Sequence, residues 1–162
     1  MSNAIEIRLF GHPEVRWQGQ PLDSKLPHKA FALLSYLALA EQPVGREMLA
    51  KLLWPAVPLP TAKQSLRNLL SQLRPVLGDL LEIAQRTVAL AAPYRQRADV
   101  VVFQQGLAAI QQAQQLGQPL DLALWQATLD LYRGEFLAGF YIHQSEPFEE
   151  WTTLCRESLR QQ

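Results

Sequence analysis

The chain has 162 residues, of which 48% are hydrophobic and 19% charged, and its formal net charge is zero. This composition excludes wholesale disorder and is typical of a globular protein with one large core or two small ones. No apolar run is long enough to cross a bilayer and no signal peptide is evident, so we expect a cytoplasmic protein without membrane contact. The single cysteine, Cys155, cannot form an internal disulfide, which agrees with a reducing compartment; its helical spacing from apolar neighbours indicates a packing role.

The zero net charge hides an uneven distribution along the chain. Residues 1–98 contain twelve Lys and Arg against seven Asp and Glu, a net charge of +5. Residues 99–162 contain three against eight, a net charge of −5. We interpret this asymmetry as a basic module that meets a polyanion, followed by an acidic module with a different task. A chance fluctuation in charge placement is the alternative.

The chain is predicted to open with a short antiparallel sheet. Strand-forming residues at 5–10 and 14–17 are separated by glycine and proline, which favours two strands and a turn, and a third strand is expected at Leu22. Residues 2–4, Ser-Asn-Ala, are interpreted as an expression remnant and are left out of the prediction.

Two helices are predicted next. A run of alanine and leucine after Pro27 predicts a deeply buried first helix that ends near Glu41. A second, shorter helix is predicted from about Gly45 to Trp54, before Pro55. Its apolar face is expected to comprise Met48, Leu49, Leu52 and Leu53.

The third predicted helix, 61–78, is the most informative segment. Five leucines share one side at helical spacing and are expected to face the core: Leu66, Leu69, Leu70, Leu73 and Leu77. The opposite side combines cations, amides and a hydroxyl and has no carboxylate: Lys63, Gln64, Arg67, Asn68, Ser71 and Arg74. Thr61 followed by Gln64 is a capping-box pattern, which predicts the helix start.

The polar side of this helix is suited to DNA. Lys and Arg neutralise phosphates, and Asn, Gln and Arg match base edges in a major groove wide enough for a helix. The alternative is the solvated face of an ordinary core helix.

A small hairpin is predicted after Gly78, with strands around 81–83 and 87–90 and Arg86 at its tip. Strands, three helices and a terminal hairpin are the element order of a winged helix-turn-helix, in which the hairpin at 80–90 is the wing. Arg86 would then meet phosphate or the minor groove, unless it is an ordinary solvated turn residue. Residues 91–98 are predicted to be a linker, so the domains are expected at 1–92 and 93–162.

The second half is predicted to be all-helical. Asp99 is expected to cap a helix through Leu116 whose inner face comprises Phe103, Leu107 and Ile110. A second helix is predicted at 121–132 and a third from Glu146 to the end of the chain. Apolar residues at helical spacing in the second of these helices are interpreted as core: Leu122, Trp125, Leu129 and Tyr132. The acidic first turn and the basic last turn of the third helix, with Arg156 and Arg160, complement the helix dipole.

No catalytic constellation is evident, and the chain is not expected to be an enzyme. The three histidines, His12, His28 and His143, lack acidic or cysteine partners at ligand spacing, so neither a metal nor a cofactor is predicted. The phosphate-binding and nucleophile-elbow glycine motifs are absent. Glu149 and Glu150 are adjacent and diverge on a helix, so they do not form an acid/base pair.

Four phrases together resemble the bacterial transcriptional activators of the antibiotic regulatory (SARP) type. They are Leu-Leu-Trp-Pro at 52–55, Ser-Leu-Arg-Asn-Leu-Leu-Ser-Gln-Leu-Arg at 65–74, Tyr-Arg-Gly-Glu-Phe-Leu-Ala-Gly-Phe at 132–140 and Phe-Glu-Glu-Trp at 148–151. The resemblance runs from Ile5 to about Arg160. It implies a winged helix of the response-regulator effector type joined to a bacterial transcriptional activator domain of tetratricopeptide-like helices.

The resemblance also implies partners and site residues. Double-stranded DNA would contact helix 61–78, with Arg67 and Arg74 matching basic residues of the family's recognition helix and Lys29 lying near phosphate at the start of the first helix. The helical half would contact RNA polymerase, a partner protein or another protomer. Two positions depart from the family pattern: Pro75 replaces a basic residue and is expected to bend or end the helix early, and Gly45 replaces a hydroxyl cap.

Two hypotheses follow from the sequence. In the first, the chain is a DNA-binding regulator in which Arg67, Asn68 and Ser71 approach bases while Lys29, Lys63 and Arg86 hold phosphate. In the second, it is a protein-interaction scaffold or dimerisation module whose winged fold does not bind DNA. Because stacked helical repeats need a neighbour to cover the last apolar face, we also expect the chain to be part of a longer protein.

Overall fold

The computed structural model describes residues 5–22 and 24–162, which form an α+β fold. The expected remnant at 2–4 lies outside the described residues. The elements run in the order β1 (Ile5–Arg8), β2 (Glu14–Trp17), β3 (Gln20–Pro21), α1 (His28–Leu39), β4 (Val44–Gly45), α2 (Arg46–Leu53), α3 (Leu59–Leu77), β5 (Leu81–Ile83), β6 (Thr87–Leu90), α4 (Ala92–Arg95), α5 (Asp99–Gln115), α6 (Leu122–Asp130) and α7 (Glu146–Arg160). Within this described part, no helix combines the length and the apolarity that crossing a bilayer requires.

The first sheet has the antiparallel order β1-β2-β3. Ile5, Ile7 and Val15 point into the core, as period-2 alternation in a half-buried sheet requires. Leu22 lies just beyond β3 and is buried there, so the expected third strand ends one residue earlier than predicted. Phe10 also lies outside β1 and forms an isolated antiparallel bridge with Phe136 of the second half.

The second sheet contains the predicted hairpin. Strands β5 and β6 pair from Leu81↔Leu90 to Ile83↔Val88, which confirms the two strands of the predicted hairpin. The hairpin gains a third strand, β4, through the pair Val44↔Val88. Two residues are too few to produce a detectable hydrophobic period, so β4 was not predicted.

Helices α1 and α2 match the predicted segments. Pro27 is the N-cap residue of α1, and Gly45 is that of α2. Met48 was wrongly assigned to the buried face of α2, since its side chain is 54% exposed. The core side of this two-turn helix is already filled by Leu49, Leu52 and Leu53.

Helix α3 buries the five predicted leucines, but its two ends differ from the prediction. It begins at Leu59 with Pro60 in the first turn, where the missing N–H of proline has no helical partner to lose. Thr61 therefore lies inside the helix, and the capping-box prediction is wrong. The prediction that Pro75 ends the helix early is also wrong, because α3 continues to Leu77 and is closed by Gly78, whose φ is +50°.

The segment 91–98, which was predicted to be a linker, contains a short helix and is anchored at both ends by buried Ala91 and Ala98. It forms the short helix α4, and the Nε of Arg95 donates to the carbonyl of Ala38 at 3.1 Å. Ala98 is completely buried, and residues of both halves contribute to one continuous hydrophobic core. Such contacts are the opposite of the sparse packing that marks an inter-domain linker. The division at 92/93 therefore remains only a prediction.

Asp99 does not cap α5 as predicted; the N-cap residue is Ala98. The buried Asp99 carboxylate accepts from the backbone N–H groups of Leu9 and Val100 at 2.8 Å and of Phe10 at 3.0 Å. Burial raises the pKa of Asp99, while the three N–H groups and Arg133, at 3.3 Å, act in the opposite direction. The side chain thus fastens the start of the helical half to the end of β1.

Helix α6 differs most from the prediction of a core helix. Its N-cap is Asp121, which accepts from the N–H of Leu124 at 3.0 Å. It packs against α5 through Thr128, where a Cβ on Gly106 would lie 2.4 Å from the Thr128 hydroxyl, so the close approach requires glycine. Leu122, Trp125 and Leu129, which were predicted to be core, are instead exposed. Tyr132, beyond the end of α6, is 40% exposed but packs its ring on Phe10, with centroids 4.9 Å apart.

Helix α7 returns to the first half of the chain. Ser145 precedes it and donates its hydroxyl to the carbonyl of Leu52 at 2.5 Å, and Phe148 is fully buried. Arg156 does more than complement the dipole, because it donates to the carbonyls of Phe136 and Leu137 at 2.7 and 2.8 Å. Cys155 is half-buried, which agrees with a packing role.

Candidate nucleic-acid interface

The outward side of α3 is exposed over about three helical turns. We call it the α3 polar face and define it by its exposed side chains, which are Lys63, Gln64, Arg67, Asn68, Ser71 and Arg74. Helix α3 itself contains no carboxylate. The segment from Lys63 to Arg74 is about 18 Å long, so this face could follow a groove for about half of a DNA turn.

Three side chains of the α3 polar face form a hydrogen-bonded chain. Arg67 donates to the amide oxygen of Gln64 at 2.8 Å, and the Gln64 amide nitrogen donates to Asn68 at 2.9 Å. These bonds align one guanidinium and two amides along the helix. Because the bonds are exposed, exchanging them for bonds to base edges carries little desolvation cost.

A cleft separates the N-terminal half of α3 from the wing, and we call it the α3–wing cleft. It measures about 490 Å³ and is lined by Gly45, Arg46, Glu47, Lys63, Leu66, Arg67, Gln85 and Arg86. The structure thus brings Arg86 together with Lys63 and Arg67, although the hairpin lies about twenty residues further along the chain. Four of the lining residues are cationic and one is a carboxylate.

The wing is held in this position by backbone contacts. Strand β4 pairs with β6, and the N–H of Arg46 donates to the carbonyl of Arg86 at 2.9 Å. This bond satisfies one of the free N–H groups at the start of α2, where Gly45 provides no side-chain cap. A carbonyl of the wing therefore compensates for the missing hydroxyl cap and fixes the Arg86 backbone against α2.

Arg46 and Glu47 were missed by the sequence analysis. The Arg46 Nε is buried and has no hydrogen-bond partner among the described residues. Glu47 forms ion pairs with Lys51 at 3.1 Å and with Lys63 at 3.8 Å. These two lysines, Lys51 more than Lys63, lower the pKa of Glu47. The local sequence around Arg46 and Glu47 does not predict either position, because Glu47 pairs with Lys63 of α3 and Arg46 with the carbonyl of Arg86 in the wing.

The remaining predicted site residues lie outside the cleft. Asn68, Ser71 and Arg74 continue the α3 polar face towards its C-terminal end. The Lys29 ammonium lies over the ring of Trp54, 4.5 Å from its centroid, and desolvation lowers the pKa of Lys29. This cation–π contact places Lys29 beside the C-cap residue of α2, and neither Lys29 nor Trp54 lines the cleft.

The histidines and acids show no second chemistry. Across residues 5–22 and 24–162, no group of three His, Cys, Asp or Glu side chains is arranged to hold a metal ion. His28 stacks on Phe140 with ring centroids 4.5 Å apart, and its Nε2 lies 2.7 Å from the carbonyl of Tyr141. These contacts give His28 a packing role.

Comparison with known proteins identifies the fold. No protein-family model and no curated protein sequence matches the chain. The chain is similar to the solved structure of Mycobacterium tuberculosis EmbR in complex with a low-affinity phosphopeptide, with a TM-score of 0.74 and 24% sequence identity. The similarity covers 95% of this chain and 42% of the EmbR chain, so the chain spans about two fifths of the length of EmbR. The chain therefore shares, over nearly all of its length, the fold of the matching part of EmbR.

Proposed function

We propose that the chain is a DNA-binding transcription regulator that reads a duplex major groove with the α3 polar face and contacts the adjacent backbone with the wing. The observation that carries the proposal is the convergence of Arg46, Lys63, Arg67 and Arg86 in one cleft beside an exposed helix face without a carboxylate. These cations come from three separate elements, and we expect one strand of a duplex beside α3 to pass them.

The residue types divide the surface into two tasks. Arg67, Asn68 and Ser71 face outward along α3 and have the donors and acceptors that discriminate base pairs. Lys63 and Arg86 lie at the edge towards the wing, where phosphates would be met. Gln64 links Arg67 and Asn68 on the same face, and Arg74 extends the face towards its C-terminal end. Lys29 is assigned to phosphate on the basis of the SARP resemblance.

The fold supports this proposal. The chain shares its fold with EmbR over 95% of its length, and the sequence phrases at 52–55, 65–74, 132–140 and 148–151 resemble SARP activators. We propose that the protein acts in the cytoplasm and that it activates transcription. The identity of 24% supports the shared fold, so the DNA contacts are argued from the surface of this chain.

Two variants of α3 test the assignment of tasks. Arg67→Ala is expected to cost about 1 to 3 kcal/mol on a duplex selected by the intact chain and to relax its preference over a scrambled duplex. Lys63→Gln is expected to weaken binding to both duplexes alike and to reduce the slope of log affinity against log salt by about 0.9. Fluorescence anisotropy over a range of salt concentrations measures both effects.

Arg97→Gln is the matched control, because this exposed arginine lies outside the α3–wing cleft. It should leave both the preference and the salt slope of the parent unchanged. Equal losses from Arg67→Ala on the selected and the scrambled duplex would remove Arg67 from base reading. Equal losses from Arg97→Gln and Lys63→Gln would show that net charge alone, rather than the cleft, sets the affinity.

A second function, as a protein-interaction module, is favoured by the exposed apolar side chains of α6. Leu122 is 69% exposed and Leu129 43% exposed, and Trp125, which lies between them on the helix, is 38% exposed. Exposed apolar residues that form a patch mark protein contacts. If this were the only function, duplexes of every sequence would bind with the same weak affinity. In the proposed regulator the two functions are combined, and the helical half contacts polymerase or another protomer.

A further inference from the structure

The α3–wing cleft contains one acidic side chain, Glu47, among its lining residues. Every other charged residue in that lining is an arginine or a lysine. A carboxylate at a surface that is to receive phosphate repels the ligand and also occupies a cation that the ligand needs. Glu47 therefore acts against the function proposed for the residues around it.

The contacts of Glu47 show which cation is occupied. One carboxylate oxygen lies 3.1 Å from the Lys51 ammonium and the other lies 3.8 Å from the Lys63 ammonium. Lys51 is one turn away on α2 and does not line the cleft, whereas Lys63 projects from α3 into it. The charge of Lys63 is therefore partly neutralised by Glu47, so Lys63 is less available to a phosphate than its position in the cleft suggests.

We propose that Glu47 is an affinity-limiting residue, a carboxylate that competes with DNA phosphate for Lys63. This inference rests on the proposed DNA-binding function and names how the same surface is tuned. When phosphate enters, Lys63 exchanges Glu47 for the phosphate oxygen, while Lys51 retains Glu47 at the rim. The exchange lowers affinity for duplexes of any sequence, because phosphates carry no sequence information.

Two other roles for Glu47 give different results. Glu47 is in the first turn of α2, where a negative charge interacts favourably with the helix dipole, so a purely structural role would appear only as a loss of stability. A carboxylate can also accept a hydrogen bond from the amino group of cytosine. In that case its removal would weaken binding to the selected duplex and leave other sequences unaffected.

Glu47→Gln in the full chain is the test, with a random-sequence duplex as the probe. The variant is expected to bind this duplex about twofold to fivefold more tightly at 50 mM salt, the range of an exposed ion pair. The gain should shrink between 50 and 200 mM salt, because salt screens the exposed Glu47–Lys63 ion pair that the substitution removes. Glu150→Gln is the matched control: it makes the same charge change on the exposed surface of α7.

The double variant Glu47→Gln, Lys63→Gln isolates the pair. Because Glu47 acts through Lys63, the gain from Glu47→Gln should be lost when Lys63 is already glutamine. A gain of equal size in the Lys63→Gln background, or in Glu150→Gln, would overturn the competition and leave a general charge effect. An unchanged or weaker affinity of Glu47→Gln would also overturn it. A lowered thermal midpoint would then indicate a structural role for Glu47, and a loss confined to the selected duplex would indicate a contact with a base.

The two proposals fail in separable ways. If neither the parent chain nor Glu47→Gln binds duplex DNA measurably at 50 mM salt, the proposal of DNA binding is wrong. If the parent binds duplex and Glu47→Gln does not increase the affinity, DNA binding stands and only the role of Glu47 is refuted.

Discussion

Helices α3 and α6 carry apolar residues at the same helical spacing, yet one apolar face is covered and the other is exposed. On α3, Leu66 and Leu73 are almost inaccessible to solvent. On α6, Leu122 and Leu129 are 69% and 43% exposed. The difference lies in the neighbours, because α3 packs against α2 and the core around α1, whereas α6 packs mainly against α5.

The comparison separates what a helix needs from what the rest of the chain supplies. Apolar spacing shows that a face gains stability when it is covered, by about 25 cal/mol for each Å² removed from water. Apolar spacing does not show which other element of the protein packs against that face. For α3 the cover comes from elements on both sides of it in the sequence, which also turn its opposite, cationic side outward. The exposure of the α3 polar face is thus a direct consequence of the burial of its leucines.

The largest expected effect is on stability, and it distinguishes the two apolar faces. Leu73→Ala should lower the free energy of unfolding by about 3 to 5 kcal/mol, because it leaves a cavity in the core. Leu122→Ala, its matched control on α6, should change it by less than about 0.5 kcal/mol. Urea denaturation measures both values, and a comparable loss from the two variants would show that α6 is covered in solution.

The second prediction concerns the attachment of the helical half. Asp99→Ala should cost about 2 to 3 kcal/mol, because it leaves the N–H groups of Leu9 and Phe10 buried without acceptors. Asp99→Asn should cost less, since its amide oxygen still accepts from the groups bonded to Oδ1. A negligible cost from Asp99→Ala in urea denaturation would show that the two halves are joined loosely. The exposure of α6 would then follow from loose packing rather than from a missing cover.

The smallest expected effect is a difference in thiol reactivity on α7, the helix that does pack on the first half. Burial raises the pKa of Cys155 to about 11, so the thiolate is scarce at neutral pH. The rate of alkylation by iodoacetamide in the folded chain should keep rising about tenfold per pH unit from pH 8 to pH 10. In the urea-unfolded chain it should level off above about pH 9. Mass spectrometry follows the product, and matching pH profiles would show that α7 leaves Cys155 open to solvent.

The sequence predicted the parts of the fold that depend on local pattern. The leucine stripe of α3, the hairpin at 81–83 and 87–90 and the start of α7 at Glu146 all follow from periodicity and turn residues. The six residues of the α3 polar face are exposed as predicted, because a helix with one buried stripe must present the other side. Their contacts with DNA remain predictions.

The failures share a physical cause, which is that tertiary neighbours decide between local alternatives. Thr61 was predicted to mark the start of the third helix, but α3 begins at Leu59 with Pro60 in its first turn. The segment around Pro93 had the composition of a linker but is fixed by the bond from Arg95 to Ala38. Arg46 and Glu47 acquire their places in the cleft only when the wing pairs with β4, a contact that joins distant parts of the sequence.

The most direct test of the central claim is selection of duplexes from a randomised library by the intact chain, followed by titration of the enriched site across salt concentrations. The account predicts an enriched motif whose log affinity falls linearly with log salt, by about 0.9 for each phosphate contact. A folded chain that enriches no motif and binds all duplexes with equal, weak affinity would contradict base reading by α3. The exposed face of α6 would then be the better candidate for the functional surface.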